Sequence, residues 1–446
     1  MSGTFIVLFM TFLFLLFGYL GVPVAFALLA GTLIGASFTD VSHTAIIQKM
    51  FDGMDNEALL AIPFFLLVGE LMSSANVVQR VANLSLALVG HIRGGLSQVV
   101  TVLSMFFSEM SGSTTADVAV ISRALGSPMK REGYSPPFIA AIIAAASTIA
   151  ALVPPSITAV VYGAIGNVSI AGLFMAGVVP GLMIGIGLMI YCYLFGPLGM
   201  TRPRAPFRDV ARAFKDASLP MMIPAILLGG ILTGFFTSTE AGVVAVVWIL
   251  IVVIPALNRR HIRLLPWDFC LAGLIFSLPL ITIGAANAFG WLFAYLRGAL
   301  VIAEWISGLA GNNPQLTMLL LVVLFTIIGD FIEPVPTIII FMPLVSALSE
   351  AAEINPVHMG VVLIATLAFG LITPPYGLVL LMASKFVGVR FSHALRAALP
   401  IYCVFLITIM FVIFFPRVVL WLPKQVIPES VGCFRNPSGS GYICPP

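Results

Sequence analysis

Two stretches decide the fold: Ala150-Ala151-Leu152-Val153-Pro154-Pro155-Ser156 and Gly370-Leu371-Ile372-Thr373-Pro374-Pro375-Tyr376-Gly377. A proline inside a helix removes one hydrogen bond and clashes with the preceding turn, so a Pro-Pro pair stops a continuous helix. The break frees main-chain carbonyls such as those of Ala150 and Ala151. Both pairs lie in long apolar segments, 137–163 and 357–384, and each follows a polar tip at the same distance. Ser113 stands 41 residues before Pro154 (154 − 113), and Glu333 stands 41 before Pro374 (374 − 333). The first tip, Ser111-Gly112-Ser113-Thr114-Thr115-Ala116-Asp117, interrupts the apolar stretch 96–127. The second, Gly329-Asp330-Phe331-Ile332-Glu333-Pro334-Val335-Pro336-Thr337, interrupts 315–349. A single proline kink is common in membrane helices. Two kinks at matched positions, each behind a polar-tipped hairpin, are not explained by kinking alone.

The composition names the solvent. Of 446 residues, 60% are hydrophobic and 9% charged, and the mean hydropathy is +1.12. Soluble domains carry about 25% charged residues, so the outer surface of this chain has to face lipid. A net charge of +3 with no basic run among aromatics argues against nucleic acid. Cys192, Cys270 and Cys403 sit alone in apolar stretches, as small hydrophobes do. Cys433 and Cys444 in the tail could pair in an oxidising compartment. The first apolar stretch lacks a basic leader and a small-residue cleavage site, and reads as a retained helix.

The expected fold class is an all-α polytopic membrane protein, an inverted repeat with two re-entrant hairpins and two broken helices. Apolar stretches at about 4–20, 22–38, 58–73, 172–198, 218–236, 240–257, 269–292 and 397–421 approach the ~20 residues that cross the hydrocarbon core. With the two broken helices they give ten spans. The arms of 96–127 and 315–349 are expected to be short, which suits hairpins. Basic residues cluster at Arg93, at Lys130 with Arg131, and in 202–215, 259–263 and 385–396. The positive-inside rule places all five on the cytoplasmic side, with both termini outside. Residues 1–200 then form one repeat, 201–217 a basic cytoplasmic linker, 218–423 the second repeat, and 424–446 a tail. Inverted repeats with paired broken helices point to a transporter's binding site.

Polar residues in lipid are costly unless they meet partners. Gly112 permits a sharp turn. Carbonyls and hydroxyls freed there are hard oxygen ligands for an alkali cation, while freed amides at a half-helix N-terminus suit a carboxylate. A polar helix–helix contact is the other use of such a cluster, and its duplication weighs against that use. Asp330 and Glu333 either attract the cation or face water in an open cavity, since intramembrane acids mark ion or substrate pathways. Asp117 is either their counterpart or, from its place at the start of a half-helix, a cap. Gly112, Ser113, Thr115, Asp117, Glu333 and Pro334 are the candidate substrate-binding residues. Glu240, in Thr237-Ser238-Thr239-Glu240, reads as a cap, and Arg123 as a side chain snorkelling to the interface. The five histidines have no ligand spacing for zinc or haem. No nucleotide loop or catalytic triad is present. This is not an enzyme by its motifs, and an ion gradient has to supply the energy.

These phrases resemble the large membrane (DctM-like) subunit of tripartite ATP-independent periplasmic (TRAP) transporters. The matches are Ser111-Gly112-Ser113 with Ala116-Asp117, Gly133-Tyr134, Val153-Pro154-Pro155-Ser156, Leu173-Phe174-Met175-Ala176-Gly177, Pro180-Gly181, Gly229-Gly230-Ile231, Phe236-Thr237 with Glu240-Ala241, and Gly370-Leu371-Ile372-Thr373-Pro374-Pro375. The resemblance runs from Gly21-Val22-Pro23 to about Pro416, and the tail after Lys424 has no match. It implies sodium-driven uptake of a small organic anion, a carboxylate or sugar acid, by an elevator mechanism in the bacterial inner membrane. It further implies a small four-helix membrane subunit, here a separate polypeptide, and a periplasmic substrate-binding protein. One implied sodium site matches Ser111, Thr114, Ala150, Val153 and Pro155. The other matches Gly329, Gly370, Thr373 and Tyr376. The chain departs from the family at Ala150, where glycine is favoured, and at Glu333, where an aspartate more often precedes the proline.

Two other readings compete. A stand-alone sodium- or proton-coupled dicarboxylate or citrate symporter of related design would need no binding protein. A structural or redox-complex membrane subunit would use buried acids to conduct protons, but the acids here gather at hairpin tips and do not form a chain across the bilayer.

Overall fold

In lipid a main chain has to satisfy its own polar groups, and helices do so within one segment. The computed structural model describes residues 3–74, 77–197, 202–311, 313–432, 434–435 and 442–443, and it is helical almost throughout. Among the described residues seven helices are long and apolar enough to cross a bilayer: Ile170–Phe195, Phe207–Leu232, Ser238–Leu257, Arg259–Tyr295, Pro314–Phe331, Pro334–Ala351 and Phe391–Phe414. This set differs from the ten expected spans. The helices Gly3–Tyr19, Val24–Ala36 and Ala61–Ser74 have 17, 13 and 14 residues. Apolar composition marks which residues avoid water, but polar details set rod length. The Thr39 hydroxyl donates to the Ala36 carbonyl at the end of the second helix, and a 3₁₀ turn, Glu57–Leu60, takes the opening of the third.

Both hairpins form, with longer arms than expected. The first joins Leu96–Ser111 to Thr114–Arg131, and the second joins Pro314–Phe331 to Pro334–Ala351. The arms hold 16, 18, 18 and 18 residues, because each polar tip confines its non-helical part to two residues. Both Pro-Pro pairs interrupt their helices. The first runs Pro136–Ser147, a 3₁₀ turn Thr148–Ala151, then Ile157–Gly166. The second runs Pro356–Gly370, then Leu378–Val387. The peptide bonds Pro154–Pro155 and Pro374–Pro375 are cis.

The interrupted helices form the core. All residues of 138–163 and 357–373 are buried. Pro356–Gly370 packs on Pro314–Phe331 and also touches Thr148–Ala151, which draws the two breaks together. Leu378–Val387 lies against Pro136–Ser147 and Thr114–Arg131. The long helix Leu265–Tyr295 belongs to an outer frame with Val24–Ala36 and His43–Met54, and meets Pro334–Ala351.

Four of the five basic segments converge. The Tyr134 hydroxyl donates to the Gly94 carbonyl at 2.5 Å, beside Arg93. Arg202 pairs with Glu132 at 2.6 Å. The Lys130 ammonium donates to the Val387 carbonyl, and the Arg123 guanidinium lies 5.6 Å from the Phe386 ring centre. A common face for these segments is what the positive-inside rule requires of them. At the chain's end, Asn355 donates to the Val431 carbonyl at 3.1 Å, and Phe434–Arg435 pairs antiparallel with Tyr442–Ile443. Cys433 and Cys444 lie outside the described residues. Cys192 is buried, whereas Cys270 and Cys403 are exposed on the chain's surface, which in an apolar segment is a lipid-facing position.

Candidate functional site

The first tip is built around a left-handed residue. Gly112 adopts φ 58° and ends the first arm; a Cβ there would lie 2.8 Å from the Pro155 carbonyl oxygen. Glycine therefore both turns the chain and lets the tip touch the break. The Gly112 carbonyl accepts the Ile157 N–H at 3.4 Å, the first amide after the cis pair and Ser156. Ser113 is the N-cap of the second arm, its hydroxyl accepting the Ala116 N–H and lying 3.2 Å from the Thr115 hydroxyl.

Asp117 is not the cap. The capping position is the last residue before the helix, which is Ser113, and Asp117 falls one turn inside. Its carboxylate is fully buried and accepts the hydroxyls of Ser108, at 2.9 Å, and Ser111. It ties the two arms together. Nor is it the counterpart of Asp330: the 41-residue register pairs Ser113 with Glu333, which sets Asp117 against Thr337 and Asp330 against Met110.

At the first break the expected free carbonyls divide. That of Ala151 is taken by the Ser156 hydroxyl at 2.5 Å, and the same hydroxyl caps Ile157–Gly166. For Ala150, Pro154 offers no N–H, while Val153 donates to Ile149. Ala150, Val153 and Pro155 are all buried, as are Ser111 and Thr114. The structure therefore brings Ser111, Gly112 and Pro155 together, with Thr148–Ala151 packed on the first arm.

The second break differs in chemistry. Gly329 and Gly370 meet backbone to backbone; a Cβ on Gly370 would come within 2.8 Å of the Gly329 carbonyl carbon. The Thr373 hydroxyl donates to the Gly370 carbonyl at 2.9 Å, and the Tyr402 hydroxyl donates to the Ile372 carbonyl at 2.5 Å. Asp330 Oδ1 accepts the N–H groups of Tyr376 and Gly377 at 2.9 and 2.7 Å. Its other oxygen, Oδ2, is buried with no hydrogen-bond partner among the described residues. Phe331 and Tyr376, their rings 6.1 Å apart, are exposed beside Pro374 and Pro375. Glu333 is the N-cap residue of the second arm, exposed, and its side chain makes no capping bond; Pro334 follows it, half-buried.

Sequence reasoning misses one acid. Glu109 sits half-buried in the first arm, two residues before Ser111. An acid inside an apolar arm is itself the signal. Around both breaks the donors are carbonyl, hydroxyl and carboxylate oxygens, a hard set that suits an alkali cation and not a soft metal.

A family model described as the DctM component of the tripartite ATP-independent periplasmic transporter matches residues 9–418. The chain belongs to the DctM family of TRAP transporter large permeases. Among relatives of this DctM permease, the sialic acid TRAP transporter large permease SiaM of Vibrio cholerae is 34% identical over 423 residues, 92% of this chain and 97% of that protein. The C4-dicarboxylate large permease DctM of Pseudomonas aeruginosa is 34% identical over 398 residues, 89% and 93% of the two chains. The ectoine/5-hydroxyectoine large permease UehC of Ruegeria pomeroyi is 32% identical over 420 residues, 93% and 97% of the two. The fold is similar to that of the YdaH transporter of Alcanivorax borkumensis, with TM-score 0.60 over 92% of this chain and 98% of that one at 15% identity. The DctM permease is thus a multi-pass inner-membrane transport subunit and not an enzyme.

Proposed function

We propose that the permease drives uptake of a small organic anion with a sodium gradient, moving its hairpins and broken helices as one body against the outer frame. The carrying observation is the paired construction: each hairpin tip packs on a proline break where main-chain oxygens and hydroxyls have left the helical ladder. One sodium ion would be held by Ser111, Thr114, Ala150, Val153 and Pro155, and another by Gly329, Gly370, Thr373 and Tyr376. Gly112, Ser113, Thr115, Asp117, Glu333 and Pro334 are proposed to receive the substrate, with Asp117 acting through the two arms it joins. The relatives' names, sialic acid, C4-dicarboxylate and ectoine, favour a carboxylate or sugar acid. A small four-helix membrane subunit and a periplasmic substrate-binding protein complete the system.

The test is reconstitution in liposomes with both partners. Uptake that needs an inward sodium gradient, the small subunit and the binding protein supports the proposal. Uptake by the single chain without a binding protein favours a stand-alone symporter. Uptake driven by a pH gradient without sodium removes the sodium sites.

A further inference from the structure

We propose that Asp330 is a charged ligand of the second cation site, built into this chain in addition to the neutral oxygens of Gly329, Gly370, Thr373 and Tyr376. The inference rests on the sodium reading above and adds a residue and an asymmetry to it.

Asp330 is 4% exposed and follows Gly329, whose backbone touches Gly370. Its side chain therefore reaches across the break from the Gly370 side to the Tyr376 side. There Oδ1 is fixed by two successive N–H groups, those of Tyr376 and Gly377. These amides precede the half-helix Leu378–Val387, whose N-terminal end favours a negative charge. Two such donors favour the ionised carboxylate. The arrangement leaves Oδ2 inside the protein with no hydrogen-bond partner among the described residues, and an uncompensated buried charge is strongly unfavourable. A cation between Oδ2 and the main-chain oxygens of the break resolves that cost.

The first break is built differently. The residue in register with Asp330 is Met110, and the buried acid there, Asp117, already accepts two hydroxyls. The second site is then the tighter of the two, since the oxygens proposed for the first, from Ser111, Thr114, Ala150, Val153 and Pro155, are all neutral. Substitution by asparagine separates ligation from scaffolding. Asp330→Asn keeps an oxygen for the Tyr376 and Gly377 amides but removes the charge and the free oxygen.

Thermal stability of the purified full chain in detergent is measured against sodium chloride, with potassium chloride holding ionic strength constant. A ligand at concentration c that binds only the folded state stabilises it by RT ln(1 + c/Kd), so the rise in Tm sets in near Kd, and that onset concentration serves as the sodium midpoint. The parent chain should show a sodium-specific rise. Asp330→Asn should lose the tighter component, leaving a midpoint at least about tenfold higher, roughly the effect of one lost charged contact. Its Tm without sodium should equal or exceed the parent's, because the unpaired charge is gone; a merely structural residue would lower it. If the Asp330→Asn chain does not fold, Asp330→Ser carries the same expectation for the sodium midpoint. A parent that responds to sodium while these variants respond at the same midpoint overturns the Asp330 assignment and spares the sodium reading. A parent with no sodium response overturns both.

Discussion

Gly329 and Gly370 meet main chain to main chain, with no room between them for a single methyl group. Gly370→Ala would push a Cβ to 2.8 Å from a carbonyl carbon, where neither partner is a flexible side chain that can yield. Overpacking of this kind costs about 1–3 kcal/mol. Uptake should fall to background and Tm should drop, both measured on the reconstituted and purified chain. The matching position in the first half is already alanine, Ala150, so Ala150→Gly should leave uptake within about twofold, a change of under 0.5 kcal/mol.

Ser111 donates to a buried carboxylate. Ser111→Ala leaves Asp117 with Ser108 alone, and losing one partner of a buried group costs about 1–3 kcal/mol. Combined with Thr114→Ala, it should also raise the sodium concentration for half-maximal uptake. Thr373→Ala should do the same at the other break. Unchanged sodium dependence in both would remove these ligands.

Pro154→Ala returns an N–H that can reach the Ala150 carbonyl. Pro154 lies outside both helices, so losing its ring costs at most about 1 kcal/mol of chain restriction and Tm should hold nearly level. Uptake should nevertheless fall by about tenfold or more, equivalent to 1.4 kcal/mol, because an oxygen needed for an ion has gone back to the helix. Transport lost at nearly constant stability is the signature to measure.

Lys130 joins the first hairpin to the end of Leu378–Val387, where a cation meets the free carbonyls of a helix C-terminus. Lys130→Met should lower stability by about 1 kcal/mol and slow uptake, since two elements proposed to travel together lose a tie. Lys130→Arg should restore both readouts. Equal uptake by the Met variant would show that Arg123 on Phe386 and the apolar contacts suffice.

Much of this is legible in the sequence because proline and glycine act locally. Pro154 with Pro155, Pro374 with Pro375 and the turn at Gly112 specify their breaks whatever surrounds them, and both hairpins form where the polar tips interrupt apolar runs. The capping box of Thr237 and Glu240 is equally readable, since both partners lie within one turn. Long-range choices are not. The sequence neighbours of Asp117 suggest a cap, whereas its partners Ser108 and Ser111 lie across a turn whose geometry Gly112 sets. Ser156 commits its hydroxyl to Ala151, which no spacing reveals. The count of spans suffers too, because hydropathy does not reveal a 3₁₀ turn such as Glu57–Leu60 at the start of an apolar run.

The two breaks share a pattern but not a surface. Pro154, Pro155 and Ser156 are walled in on every side, whereas Pro374, Pro375 and Tyr376 lie open. At the proposed second site Gly329, Asp330, Gly370 and Thr373 are buried just behind that open edge, whereas a guest behind Pro155 would have to be let in by the protein's own motion. Should both proposed sites fill, the one beside Asp330 would fill first.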